Sequence, residues 1–427
     1  MGFFPFFSII TNALILLLLF HLLCLSNNLQ AAKHGNSVSR HHRHQHPHPH
    51  PHHNHPSNTT SDSNPRLHQA FLALQAWKRV IYSDPKGFTT NWIGPSVCNY
   101  TGVYCSPALD NPKIRVVAGI DLNHGDIAGF LPDELGLLTD LALIHLNSNR
   151  FCGILPSTLA NLELLFELDL SNNRFVGPFP LVVLSLPSLI YIDLRFNDFE
   201  GPIPANLYAK KLDAVFLNSN RFTSLNIPSS LGESSASVLV FANNNYGGCL
   251  PPSIVKFANS LEELVLINTS ITGCLPQEIG FLYKLKLLDV SFNKIVGPIP
   301  YSIAGLAHLE QLNLGHNMLS GIVPAGVCTL PNLSNFTASY NFFCEEEGIC
   351  QNLTSKGVAF DDRHNCLPEK RYQRSKKECS AALEHPVDCF EHPCGGFGTP
   401  AFAPSVAAMP AAASVPLPSP SLAPTYS

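Results

Sequence analysis

A frame that returns about every 24 residues restricts this chain more than any other feature. An Asn, or a substitute for it, stands at Gly125, Asn149, Asn173, Asn197, Asn220, Asn244, Thr269, Asn293, Asn317 and Asn341. In Ile144-His145-Leu146-Asn147-Ser148-Asn149-Arg150-Phe151-Cys152-Gly153-Ile154-Leu155-Pro156, two apolar residues flank one polar position, and an Asn, an aromatic residue, a Gly and a Pro follow. The segments 168–180, 192–204, 288–300 and 312–324 repeat the pattern almost letter for letter. An apolar-x-apolar triplet is a short strand that points two side chains one way and the middle one the other. One such unit cannot bury its apolar side alone, whereas stacked copies share a continuous core beneath a parallel sheet. An inward Asn amide can then satisfy backbone groups of adjacent coils, and Gly and Pro shape the return turn. The pattern predicts an α/β solenoid: a right-handed superhelix of about ten coils, with the sheet on its concave face and cysteine-containing caps.

The flanks complete the organisation. Residues 1–32 carry the apolar run Ala13 to Phe20 and small residues at Ala31 and Ala32, and are expected to be a secretory leader. An uncleaved anchor is the alternative, because the segment lacks a basic start and approaches a spanning length. Residues 33–65, dominated by alternating His and Pro from His41 to His55, are expected to be a disordered linker. Metal or pH sensing there competes with a solvated spacer, which the absence of fixed coordination geometry favours. Residues 66–115 are expected to form an N-terminal cap, with a helix from Leu67 to Tyr82 stopped by Asp84-Pro85. Repeats fill 116–343, a C-terminal cap and cysteine hinge 344–394, and a disordered Pro/Ala/Ser tail 395–427.

Thirteen Cys become twelve once Cys24 leaves with the leader, and an even count behind a leader points to an oxidising compartment. Sequons at Asn58, Asn99, Asn268, Asn332, Asn335 and Asn352 agree with a secreted glycoprotein. Cys98 and Cys105 are expected to close a short hairpin. Cys249 and Cys274 follow the repeat glycines of consecutive coils, about 5 Å apart, and are expected to pair. Cys328, Cys344, Cys350 and Cys366 are assigned to closing the C-terminal end. Cys152 has no local partner, which leaves an intermolecular bridge and a buried thiol both open.

The Leu-x-x-Leu-x-Leu-x-x-Asn-x-Phe-x-Gly-x-x-Pro frame resembles the plant-specific class of leucine-rich repeats. The stretches Asp121 to Gly129, Leu135 to Gly153, Arg174 to Pro180, Ser334-Asn335-Phe336 and Pro386-Val387-Asp388-Cys389 further resemble the leucine-rich repeat extensin family, over roughly residues 66 to 396. In that family a long Ser-Pro-Pro-Pro tail follows the cysteine hinge. Here a short Pro/Ala/Ser stretch reaches Ser427, so the resemblance is to a member lacking that tail. It implies an extracellular protein of the plant cell wall or apoplast that binds basic, cysteine-rich signalling peptides of the rapid alkalinisation factor class and acts in wall integrity and growth. It also implies a disulfide-linked homodimer.

The residues between and beside the inward Leu pairs give an independent reading of the ligand. Asp121, Glu167, Asp169, Tyr191, Asp193, Phe196, Phe216, Asp289, Phe292 and Tyr340 are the candidate peptide-binding residues, acidic in the early coils and aromatic later. Carboxylates beside exposed aromatics suit a ligand with Arg or Lys and an apolar anchor. With charged residues at 13% and a net charge near -5, nothing provides the cationic surface that nucleic acid requires. No enzyme, cofactor or metal is expected: there is no phosphate loop, nucleophile elbow or His pair on a helix, and an open sheet face neither excludes water nor shifts a pKa. Two rivals remain, a polygalacturonase-inhibitor-like protein and a structural wall component held by pectin or another wall polymer.

Overall fold

The computed structural model describes residues 64–389 apart from Leu225 and His385. The expected leader, the linker through residue 63, the Asn58 sequon, the end of the hinge and the tail lie outside the described residues. Asn64 and Pro65, placed at the linker's end, instead open a helix over Pro65–Val80, with the Asn64 side chain accepting from Arg66 N and Leu67 N. The helix stops at Val80, and Ile81–Ser83 pairs antiparallel with Ala128–Gly129. Trp77 and Trp92, both fully buried with ring centroids 6.0 Å apart, seal this end of the core, and Cys98–Cys105 closes the hairpin beside them as expected.

Beyond the cap the chain winds into a leucine-rich-repeat solenoid. One twelve-stranded sheet runs the length of the described chain, antiparallel only between Val103–Pro107 and Arg115–Asp121 and parallel thereafter. Most coils contribute three residues, as in Glu167–Asp169 and Leu287–Asp289, where the middle side chain is buried and its neighbours are half exposed. The return legs are mostly 3-10 turns of about five residues, with single α-helical turns at Asn206–Ala209 and Ala325–Cys328, because a coil this short leaves room only for one tight turn after each Pro. Between the two runs a second sheet forms in the segment that follows each ladder position, parallel except where Ile81–Ser83 joins it, in two pieces: six strands ending at Arg221–Phe222, and four beginning at Thr272–Cys274. A return turn alone was expected at that place.

The Asn ladder has the expected role. Asn293 donates from Nδ2 to the carbonyls of Leu266 (2.7 Å), Val290 (2.9 Å) and Ser291 (3.0 Å). Its Oδ1 accepts from Thr269 N (3.0 Å) and Ile271 N (3.0 Å). A single side chain thus ties two consecutive coils together by satisfying backbone groups buried between them. The ladder continues past Asn341: Asn365 Nδ2 donates to Ala338 O at 3.0 Å, and Ala359–Asp361 pairs with Asn335–Thr337, so a further coil follows residue 343.

The cysteines correct one pairing. Cys274 bridges Cys389, not Cys249, although Cys249 is itself disulfide-bonded. Equivalence in consecutive coils is not sufficient, because the folded-back C-terminal segment brings Cys389 to the outer edge of the second sheet, with Cα atoms 5.9 Å apart. At the C-terminal end, Cys328–Cys350 and Cys366–Cys379 are bridged, whereas Cys344 is a half-buried free thiol. Cys152 is buried and disulfide-bonded, not the buried free thiol that was one of its two alternatives.

Candidate functional site on the concave sheet

Strand register sorts the candidate residues into rows. Asp121, His145, Asp169, Asp193, Phe216, Val240, Val265 and Asp289 stand side by side in successive coils, and Glu167 and Tyr191 lead the adjacent row. The concave face is therefore acidic, then apolar, then acidic again. Asp121, Glu167, Asp169, Tyr191, Phe216 and Asp289 are all half exposed there.

Local chemistry holds these acids in place. Asp169 Oδ1 accepts from Ser171 N at 2.9 Å and from its hydroxyl at 2.5 Å, and Asp289 and Ser291 repeat the arrangement at 2.9 and 2.6 Å. Asp121 likewise accepts from Asn123 N at 2.9 Å. Each carboxylate closes a small turn with the backbone two residues on, and Asp289 Oδ2 also accepts from Asn313 Nδ2 at 2.9 Å. Glu167 sits 2.9 Å from His145 Nε2.

Asp193 behaves differently. It is fully buried, and its carboxylate meets Arg195 Nε at 2.9 Å and Arg195 N at 3.0 Å. Burial, with the Asp169 charge next to it, pushes the carboxyl up to about 7 against the pull of Arg195. Tyr191 donates to Asp193 Oδ2 at 3.5 Å and packs on Phe216 with centroids 5.6 Å apart; burial first, then Asp193, pushes its phenol up to about 12. The Arg195 guanidinium lies 5.1 Å from the Phe216 centroid. Asp193 is thus a support beneath the surface, and Arg195, missed in sequence, is part of the face. Its signal was present, since Arg195 occupies the next outward position of Ile192-Asp193-Leu194-Arg195.

Phe196, Phe292 and Tyr340 do not join this group. They stand at the corner where each strand ends, in the left-handed region at φ 53°, 56° and 58°. In four consecutive coils that corner holds Phe292, His316, Tyr340 and His364, stacked face to face with centroids 4.1, 4.0 and 4.2 Å apart. Burial lowers the His316 pKa, and His364 and Arg374 add to the effect. His364 was not foreseen, because the coil that carries it lies beyond the last recognised repeat. Asn268 occupies the same corner one coil before Phe292, so a glycan there would border the stack. Asn99, Asn268, Asn332, Asn335 and Asn352 are all exposed.

Comparison with known proteins matches this geometry. The family profile "Leucine rich repeat N-terminal domain" fits residues 67–106, and "Leucine rich repeat" fits residues 284–343. Leucine-rich repeat extensin-like protein 6 of Arabidopsis thaliana is 64% identical over 333 residues, 78% of this chain and 70% of that protein. The chain belongs to the leucine-rich repeat extensin-like proteins. A second member, leucine-rich repeat extensin-like protein 2, is 53% identical over 79% of this chain but only 43% of its own length. The chain thus spans less than half of some extensin-like relatives. Among solved structures, the Arabidopsis receptor kinase HAESA in complex with the peptide hormone IDA and the co-receptor SERK1 aligns with a TM-score of 0.63, 26% identity, and 70% and 50% coverage of this chain and that one. A plant ice-binding protein shares the fold, with a TM-score of 0.59, 23% identity, and coverage of 73% and 97%. Among the described residues no helix is long and apolar enough to cross a membrane.

Proposed function

We propose that this extensin-like protein acts outside the cell, in the plant wall, by binding a basic, cysteine-rich secreted peptide of the rapid alkalinisation factor class, and thereby takes part in wall integrity and growth. The observation that carries this reading is the concave row in which Asp121 and Asp169 on one side and Asp289 on the other flank Tyr191, Phe216, Val240 and Val265. Such a face offers an apolar seat with carboxylates at both ends, and a cationic peptide with an aromatic or aliphatic anchor fits both. The likeness to a receptor ectodomain of the same coil type, solved with a peptide hormone, supports a peptide as the kind of ligand. Rigid stacked coils favour binding over catalysis, since the ligand meets a wall that is already organised.

Binding of a basic secreted peptide to the secreted protein, measured at two salt concentrations, tests the reading. Affinity is expected to fall as salt rises. Reversing the charge at Asp169 and Asp193 is the change the sequence suggests, but Asp193 is buried, so Asp169→Lys and Asp121→Lys are the informative variants. Each is expected to weaken binding several-fold with circular dichroism unchanged. Affinity indifferent to salt and to both variants would remove the concave face as the peptide site.

A further inference from the structure

The C-terminal cap carries a charge pattern opposite to that of the rest of the chain. Residues 363–377 hold six of the 26 Lys and Arg but one of the 31 Asp and Glu: Arg363, Lys370, Arg371, Arg374, Lys376 and Lys377 against Glu369. The Cys366–Cys379 bridge, with Cα atoms 5.6 Å apart, closes most of this stretch into one loop. Backbone bonds then fold the loop onto the last coil. His364 N donates to Tyr372 O and Arg374 N to Asn365 O, both at 2.8 Å, which sets Arg371 and Tyr372 beside Arg363 and His364.

Three of the six cations are engaged within the fold. Arg363 makes a two-point pair with Asp361 at 2.8 and 3.0 Å, and Lys370 is held between Glu346 and Asp362. Arg374 lies 4.3 Å from the Phe342 centroid and donates to Asn341 O at 2.7 Å. Arg371, Lys376 and Lys377 are exposed, and their side chains have no partner among the described residues. Lys376 and Lys377 open the helix Lys376–Leu383, in the turn whose unpaired N–H groups favour anions and repel cations. The acid of that turn, Glu378, is taken up by the Ser375 cap, 2.9 Å from Ser375 N and 2.7 Å from its hydroxyl, and lies 4.0 Å from Arg374. Tyr372 is 72% exposed and sits at φ 60°, a left-handed conformation that disfavours any residue with a Cβ. Neither arrangement stabilises the cap, yet together they present one free aromatic face and three free cations on a small surface.

We propose that this surface of the C-terminal cap binds an acidic polysaccharide of the wall, a uronate-rich chain, with Tyr372 stacked on one sugar ring and Arg371, Lys376 and Lys377 pairing with carboxylates of that ring and its neighbours. Such a chain repeats a carboxylate beside an apolar ring face, and cations around an exposed aromatic are the complementary set. Three free charges are few for a phosphate backbone or an anionic membrane, both of which draw on larger basic clusters. The site lies on the cap, apart from the concave row; it rests on the placement in the wall and not on the peptide.

The test is titration of the secreted full-length protein with polygalacturonate oligomers at two salt concentrations, with methyl-esterified oligomers, dextran sulfate and phosphatidylserine vesicles in parallel. Saturable binding of the free-acid oligomers is expected, weakened by salt and lost on esterification. Lys376→Gln with Lys377→Gln is expected to weaken it about tenfold or more with circular dichroism unchanged, and Lys376→Arg with Lys377→Arg to retain it. Tyr372→Ala is expected to weaken the uronate by about fivefold and leave dextran sulfate unaffected. Binding of a basic peptide to the same variants is expected to be unchanged, so this site and the concave row are read separately. No saturable binding, equal binding of the esterified oligomers, an affinity unmoved by the Lys→Gln pair, a Tyr372→Ala loss shared by dextran sulfate, or vesicles bound more tightly than the oligomers would overturn the proposal.

Discussion

Asp193 shows how one residue changes role between sequence and structure. Its position in the coil is the same as that of Asp169 and Asp289, yet Tyr191 and Phe216 from its own and the next coil cover it. Its carboxyl is raised to about 7, above the ordinary range near 4, so in this window the native state holds a proton that the unfolded chain releases. The contribution to stability is therefore intact at acidic pH and is lost as pH rises toward and through 7, by at most about 4 kcal/mol. Asp193→Asn is expected to raise the melting temperature at pH 8, leave it nearly unchanged at pH 4, and flatten the dependence between them. A variant whose melting curve keeps the wild-type pH profile would contradict that assignment. Asp193 was legible as an outward position, but its burial was not, because burial depends on which side chains the adjacent coils place over it.

At the scale of the coil, close stacking sets the tolerance. A methyl group added to Gly280 would lie 2.0 Å from the Ser302 carbonyl oxygen of the next return leg, and one on Gly232 would lie 2.2 Å from that of Ser253. These are contacts with backbone, which cannot rotate away. Gly280→Ala is accordingly expected to destabilise by about 2–4 kcal/mol, measured by denaturant unfolding. Asn293→Leu strips the amide that serves Leu266, Val290 and Ile271 and is expected to remove about 3 kcal/mol or more. If the secreted yield and unfolding midpoint of Asn293→Leu matched the wild type, the ladder would not be what holds the coils. The Asn period was readable because every coil needs the same bonds. The second sheet was not, since its strands are only two to six residues long and carry no alternation of their own.

For the whole molecule, the long-range bridge matters most. Cys274–Cys389 spans a separation of 115 residues and ties the C-terminal segment to the coil of Thr269, the seventh in the series. Closing a loop of that length restricts the unfolded chain by about 4–5 kcal/mol in the entropic account. Peptide mapping under non-reducing conditions is expected to recover Cys274–Cys389, Cys328–Cys350 and Cys366–Cys379, and no Cys249–Cys274 peptide. Recovery of the last would show that the C-terminal segment does not fold back as described.

The sequence by itself determined the solenoid, its period, its concave strands and the acidic and aromatic character of the face, because those follow from residues that must recur in every coil for a shared core to exist. Tertiary structure alone decided that Asp193 is covered, that Arg195 joins the face, that Phe292, His316, Tyr340 and His364 stack at a corner apart from it, and that Cys274 reaches Cys389. Those outcomes depend on contacts between coils and on the path of a non-repeating segment, and neither leaves a period in the chain.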